Sequence, residues 1–423
     1  MKRHVLLLWP GVFLLMWSVP PFLVGETWPG FRGNGNSQAD LAELPLTWSE
    51  SEGIAWRVTL AGEGQSSPVV GEGQVVVTST GGDRKETLFV ESFDPQSGER
   101  RWISELPATQ TVDEVTDMIS RGAPTPVIDK AGVYAFFESG DLTALDLDGE
   151  ERWTRRLTAE YGEFIGGHGI GTSLVQSQES LFVLIDHDGP SYLLCLDKES
   201  GENRWKAERP SRVSWTTPLL VTHDGSEQLV VSSNGEVAGY DLVSGDRVWW
   251  VEGIQRNTVA SPSQAGDLVI IASSEPTNSM AIGLGGMGDV GETHLRWRAK
   301  SVTSSFGSPL VSGDTVFFVN RAGALQATNL ADGTLRWERR LPGSSWASPI
   351  AAGNRLYFFC KEGQTVVLPA DGGEETEPLA INPWPVTEKD RLYGVAVAPH
   401  RIFLRTEREL VGVGSSREVE NPG

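Results

Sequence analysis

Cys195-Leu-Asp-Lys-Glu-Ser-Gly-Glu-Asn-Arg-Trp205 is the stretch that decides the fold, because the chain repeats it. Ser92-Phe-Asp94 leads through Gly98 to Trp102 at the same spacing. Gly239-Tyr-Asp241 leads through Gly245 to Trp249, and Ala327-Thr-Asn329 through Gly333 to Trp337. Ala144-Leu-Asp146 reaches Trp153 through Gly149 with one residue fewer in the turn. The common pattern is a small residue, a hydrophobe, Asp or Asn, a turn closed by Gly, and Trp four residues later. Physically this is a strand end, a tight reversal and the start of the next strand. The acid or amide accepts hydrogen bonds from turn N–H groups, and Gly takes the φ > 0 position. The Trp then offers a large flat surface to a neighbouring unit. A repeat this regular specifies a repeat architecture.

The motif resembles the tryptophan-docking motif of the PQQ-like (quinoprotein-type) β-propellers, a family that includes the quinoprotein alcohol dehydrogenases and the secreted BamB-like proteins of outer-membrane assembly. The resemblance runs from Ile54 to Gly414. It implies four-stranded blades, each motif closing one blade, with its Trp packed on the next blade's motif. Buried positions at the blade junctions are therefore expected for Trp102, Trp205, Trp249 and Trp337. Fold is specified strongly by such a resemblance and function weakly, since one fold hosts many activities.

Each unit opens with a small residue, usually followed by Pro, before an apolar strand. These openings are Ser67-Pro68, Thr125-Pro126, Thr217-Pro218, Ser261-Pro262, Ser308-Pro309 and Ser348-Pro349, with Ser173-Leu174 and Ala396-Val397 in the same place without Pro. Pro starts a strand without donating to the ladder, and small residues let inner strands approach near a ring axis. Within the units Asn234-Gly235 marks a hairpin, and Asn320 to Gly323 and Ser139 to Asp141 mark further turns. Unit five lacks the regular Asp…Gly turn, and unit seven lacks its Trp. Ile54 to Leu60 is a strand whose partners lie at the other end, in Tyr393–Val397, Arg401–Arg405 and Leu410–Val413. The expectation is all-β: an eight-bladed β-propeller of four-stranded antiparallel blades, closed by pairing of N- and C-terminal strands.

Before the ring, Met1-Lys-Arg-His4 and the apolar run from Val5 to Val19 have the layout of a secretory signal peptide, assigned to 1–25. The run is short for a transmembrane span. No Cys near its end offers the lipid-attachment site of a lipoprotein. Residues 26–53 read as an N-terminal latch across one face, opening on Trp28-Pro-Gly-Phe-Arg-Gly33, which resembles the start of many secreted PQQ-like propellers. The propeller occupies 54–414, and 415–423 form a polar tail.

Composition bounds the partners. The formal charge of −21 becomes −23 once Lys2 and Arg3 leave with the leader, and such a surface repels nucleic acid and anionic lipid. The two cysteines, Cys195 and Cys360, read as buried thiols on separate units. The quinoprotein dehydrogenases carry an adjacent Cys pair, Ca²⁺ ligands and a catalytic Asp. The sequence has no adjacent Cys pair and no Cys-x-x-Cys-His haem site, so neither PQQ, haem nor metal is expected. Gly283 to Gly288 reads as an inter-strand loop, since strand rather than helix follows it. His187, in Asp186-His-Asp-Gly-Pro-Ser191, reads as part of a solvated hairpin turn, with a metal site as the alternative.

The loops that lead into the inner strands gather around one mouth of the central channel. They place Arg121, His168, Trp215, Asn257, Phe306 and Trp346 there as the candidate recognition surface, with Trp215 and Trp346 partly exposed. The competing reading has His168 bonded to loop backbone and the Trp residues capping blades. No catalytic set is nameable. Two functions follow as expectations. One is an exported, monomeric, non-enzymatic scaffold, periplasmic or extracellular, that binds an envelope protein or peptide at the mouth. The other is an enzyme or carbohydrate-binding protein that uses acids and aromatics at the same mouth.

Overall fold

The computed structural model describes residues 27–39, 43–112, 122–255, 259–383 and 391–414. The expected leader at 1–25 and the tail at 415–423 lie outside the described residues.

Short apolar runs interrupted by Gly, Asn and Asp cannot form long helices and instead form short strands. These strands hydrogen-bond into eight separate sheets, each built on four antiparallel strands, in sequence order in all but the sheet that joins the chain's two ends. The first strands of neighbouring sheets touch, which sets them around the axis of an eight-bladed propeller. Blade one runs from Val69 to Pro107, blade two from Val127 to Arg156, and blade three from Val175 to Arg209. Blades four, five and six start at Leu219, Ser263 and Leu310, and blade seven at Ile350. Blade eight takes Gly394–Ala398, Arg401–Arg405 and Glu409–Val413 from the chain's end, and Ile54–Thr59 from its beginning. Ile54 stands opposite Val413 and Thr59 opposite Glu409, so the ring closes as expected.

Blade junctions repeat one arrangement wherever the following blade carries the Asp/Asn turn. The indole N–H groups of Trp56, Trp102, Trp153, Trp205 and Trp297 donate to the carbonyls of Pro95, Leu147, Lys198, Leu242 and Leu330. Each acceptor is the residue directly after the Asp or Asn of the next blade's turn. The indole faces lie on Gly98, Gly149, Gly201, Gly245 and Gly333, all at positive φ, where a Cβ would strike the ring. The turn acids act as the sequence predicts: one Asp197 oxygen accepts from the N–H groups of Glu199 and Ser200. Arg204 and the Ser200 N–H hold that carboxyl down at about 2.

Trp102, Trp205 and Trp337 are only half-buried, which corrects the expectation for them. They stand on the fourth and outermost strand of each blade, so one edge meets solvent. Trp249 is 1% exposed, but by another route. Blade five has no Asp turn. In its place Gly288–Asp289 adds a parallel strand to blade four beside Trp249 and Trp250, and the Trp249 indole donates to Gln228.

At the axis the eight openings do more than allow close approach. The Ser67 N–H donates to the Thr125 hydroxyl, Thr125 to Ser173, and Ser173 to Thr217. Thr217 continues to Ser261, Ser261 to Ser308 and Ser308 to Ser348, each link at 2.9–3.1 Å. One hydroxyl on each of blades two to seven thus satisfies an N–H of the blade before it, and the relay runs in a single sense. It ends at blade eight, where Ala396 has no hydroxyl.

Residues 27–39 cross the channel as a strap. Trp28 pairs with Val70, the Pro29 carbonyl accepts from Ile128, and Gln38–Ala39 adds a parallel strand to blade seven. Arg32 is 3% exposed, and its guanidinium donates to the Pro262 and Pro309 carbonyls and to the Ser37 and Ser263 hydroxyls. Burial pushes it down to about 9. It stays charged at neutral pH, and its carbonyl and hydroxyl partners take the place of water.

Candidate functional site

The channel keeps one aromatic mouth, a cavity of about 250 Å³ floored by Phe31 of the strap. Its rim has a register. Gln65, Ala123, Gly171, Trp215, Val259, Phe306 and Trp346 line it, and each stands two residues before a blade opening. Tyr393 supplies the eighth blade. The rim is therefore small or polar on blades one to three and, apart from Val259, aromatic on blades four to eight. Three of these rings form a row, with Trp346 centred 5.4 Å from Phe306 and 5.3 Å from Tyr393. The Lys361 ammonium lies 5.7 Å from the Trp346 ring centroid.

Of the residues predicted from sequence, the structure brings His168, Trp215, Phe306 and Trp346 together at this mouth. Arg121 and Asn257 lie outside the described residues. His168 is exposed and meets Trp215 edge-on, with centroids 6.0 Å apart. Trp215 is 9% exposed rather than partly open, because its indole N–H donates to the Gly169 carbonyl. Beneath it the Asp186 carboxylate takes the guanidinium of Arg209 and the hydroxyls of Ser214 and Ser233. This buried, satisfied cluster fixes the loop that carries Trp215.

His187 holds the other loop, and it is not solvated as the sequence suggested but 4% exposed. Its Nε2 faces the Pro190 carbonyl, which requires a proton there. Nδ1 is then free to accept, and it takes the N–H groups of Ile165 and Gly189. Burial lowers the imidazole below its ordinary range, against the pull of Asp186 and Asp188. Gln110 adds two bonds to the backbone of Phe164. His168 thus rides on a loop pinned by a neutral imidazole.

The sequence reading missed Tyr393, Arg321, Ser274 and Phe31. Arg321 lies in the hairpin turn between the second and third strands of blade six, a class of loop that also reaches the mouth. A second cavity of about 340 Å³ lies between the strap and the inner strands of blades three and four. Among the described residues no three His, Cys, Asp or Glu converge as a metal site would need. Cys195 and Cys360 are buried on blades three and seven, and burial raises both thiols to about 11. The described residues at the mouth include no carboxylate and no cysteine. They do not fit the PQQ and Ca²⁺ equipment of the quinoprotein dehydrogenases. Among the described residues no helix is long and apolar enough to cross a membrane.

A family model described as outer membrane protein assembly factor BamB matches residues 46–165, 148–284 and 291–399. The BamB of Alkalilimnicola ehrlichii is 27% identical over 186 residues, 42% of this chain and 43% of its own length. The chain spans about half the length of the curated relatives it matches. The crystal structure of BamB from Moraxella catarrhalis superposes with a TM-score of 0.59 at 16% identity, covering 87% of this chain and 99% of that one. A quinohemoprotein alcohol dehydrogenase from Pseudomonas putida HK5 gives 0.65 at 10% identity, covering 92% and 82%. At these identities the two solved structures share the fold.

Proposed function

The chain belongs to the family of the outer membrane protein assembly factor BamB, and from that premise we propose that it is an exported scaffold without enzymatic activity. It binds a protein or peptide of the cell envelope at the aromatic mouth. The observation that carries this reading is the rim register, which turns one position per blade toward a common cavity and makes it aromatic on one side. Aromatic side chains in a preformed concavity are frequent interface anchors, because they bury large area at small entropic cost. The strap supports the reading from below, since a floored cavity receives a projecting side chain. A sugar site of acids beside aromatics has no support in the described lining, which contains neither Asp nor Glu.

A photo-crosslinking residue at position 346 tests the proposal, with one at Val243 on an exposed outer turn as control. In envelope preparations the first should give a discrete adduct that mass spectrometry identifies as an envelope protein, and the second should not. Adding Phe306→Ala should suppress the adduct while leaving thermal unfolding nearly unchanged. Equal adducts from both positions, or an adduct indifferent to Phe306, would remove the mouth as the binding face.

A further inference from the structure

The whole chain carries 56 acids against 35 Lys and Arg, yet no acid lines the mouth among the described residues. Arg321 lines it, and the only bond it makes among the described residues is through its backbone N–H, to the Ser305 hydroxyl. Its guanidinium is exposed beside the aromatic row. Lys361 stands behind Trp346 with a single loose carboxylate neighbour, Glu362 at 3.6 Å. Among the described residues the mouth is therefore a cation-edged patch without acids on a strongly acidic molecule, and fields of this kind select partners of opposite charge. Size narrows the occupant further. A cavity of about 250 Å³ is below the roughly 300–1,000 Å³ of a site for a drug-sized ligand, and Phe31 closes its floor. It holds one bulky side chain, and the chain that bears it must run across the rim.

On the reading that the mouth is the partner site, we infer that it recognises an acidic extended segment presenting one aromatic side chain: the ring enters the cavity against Trp346 and Phe306, and a flanking Asp or Glu meets Arg321. The carboxylate comes from a flanking side chain and not from a chain end, because Arg321 lies at the exposed outer edge whereas the cavity floor offers Phe31.

The probes are nine-residue peptides with blocked ends, one Phe at the centre and four Asp among Ser, with a Lys-for-Asp twin and an Ala-for-Phe twin. Calorimetry with the full chain at low salt should show the Asp peptide binding at least about tenfold more tightly than its Lys twin, and no heat from the Ala twin. Arg321→Glu should abolish the preference for Asp over Lys without changing the unfolding midpoint, and Trp346→Ala should weaken both Phe peptides. Equal affinity for the Asp and Lys peptides, or an unchanged preference in Arg321→Glu, would overturn the acidic partner and leave the mouth standing. Failure of both Phe peptides to bind, or binding indifferent to Trp346→Ala, would overturn the mouth itself.

Discussion

Gly201→Ala offers the sharpest test of how the blades are joined. Gly201 has φ +74° beneath the Trp153 indole, and a Cβ there would come within 2.7 Å of Cδ2 and 2.8 Å of Cε3. Gly225 has nearly the same backbone, φ +75°, with nothing within 4 Å. Ala at either site costs about 1–2 kcal/mol in left-handed strain. Only at Gly201 must the indole also move. That displacement costs about 1–3 kcal/mol for overpacking, and its bond to the Lys198 carbonyl, now 3.0 Å, contributes about 0.5–1.5 kcal/mol more. Gly201→Ala should therefore destabilise by about 2–4 kcal/mol beyond Gly225→Ala. Urea unfolding followed by fluorescence and circular dichroism measures the difference, provided the slope is unchanged. In a Trp153→Ala background the excess should vanish, since the ring that the added methyl would strike is gone. Equal losses at Gly201 and Gly225, or an excess that survives Trp153→Ala, would refute the junction as the source.

Thr217→Val keeps the shape of one link in the axial relay but strands the buried Ser173 N–H, so it should cost about 1–3 kcal/mol by denaturation, whereas Thr222→Val on the exposed side should be near neutral. His187 is held below its ordinary value of about 6.5 in the fold, so the stability it contributes is complete above that pH and is lost as the pH falls below it. The unfolding midpoint should decline between pH 7 and 5 and decline less in His187→Gln, with the amides of Ile165 and Gly189 the first to exchange faster. Asp197 is depressed to about 2, so its share is present above the ordinary carboxylate range and disappears only as the pH falls from about 4 toward 2. Arg204→Gln should move that acid transition upward.

The blade count and the ring closure were legible because their signals are local or recur. Asp, Gly and Trp of one motif lie within eleven residues, and the openings return at nearly even spacing. The strap's contacts were not legible. Arg32 meets Pro262 and Pro309 across separations of 230 and 277 residues, and nothing near Arg32 in sequence announces a carbonyl cage. Trp215 misled for a related reason: its exposure depends on a carbonyl 46 residues away, on a loop set by His187. Half of the mouth could have been found. The position two residues before each opening is a readable register, and it would have added Gln65, Ala123, Gly171 and Val259. Arg321 falls outside that register because it sits in the Asn320 to Gly323 turn, within a blade, and a turn's sequence does not say which end of the ring it faces.

The axial relay stops at Ala396, and blade eight is tied to blade one farther from the axis, where Trp56 donates to the Pro95 carbonyl, Arg401 to Gln96 and Arg405 to the Thr78 carbonyl. A Cβ on Gly394 would come within 2.5 Å of the Ser67 Cα. At its axis, and only there, the hydroxyl relay makes a split ring. A load that expands the axis is resisted there by polar links from blade one through blade seven, and at blade eight by the bonds that lie farther out. Tyr393 leads into blade eight and Trp346 into blade seven, so the aromatic wall of the mouth spans the junction at which the axial relay is interrupted. An oversized guest would be accommodated where the axial relay is interrupted, beside blade eight, while the ladder that stitches the chain's two ends together stays closed.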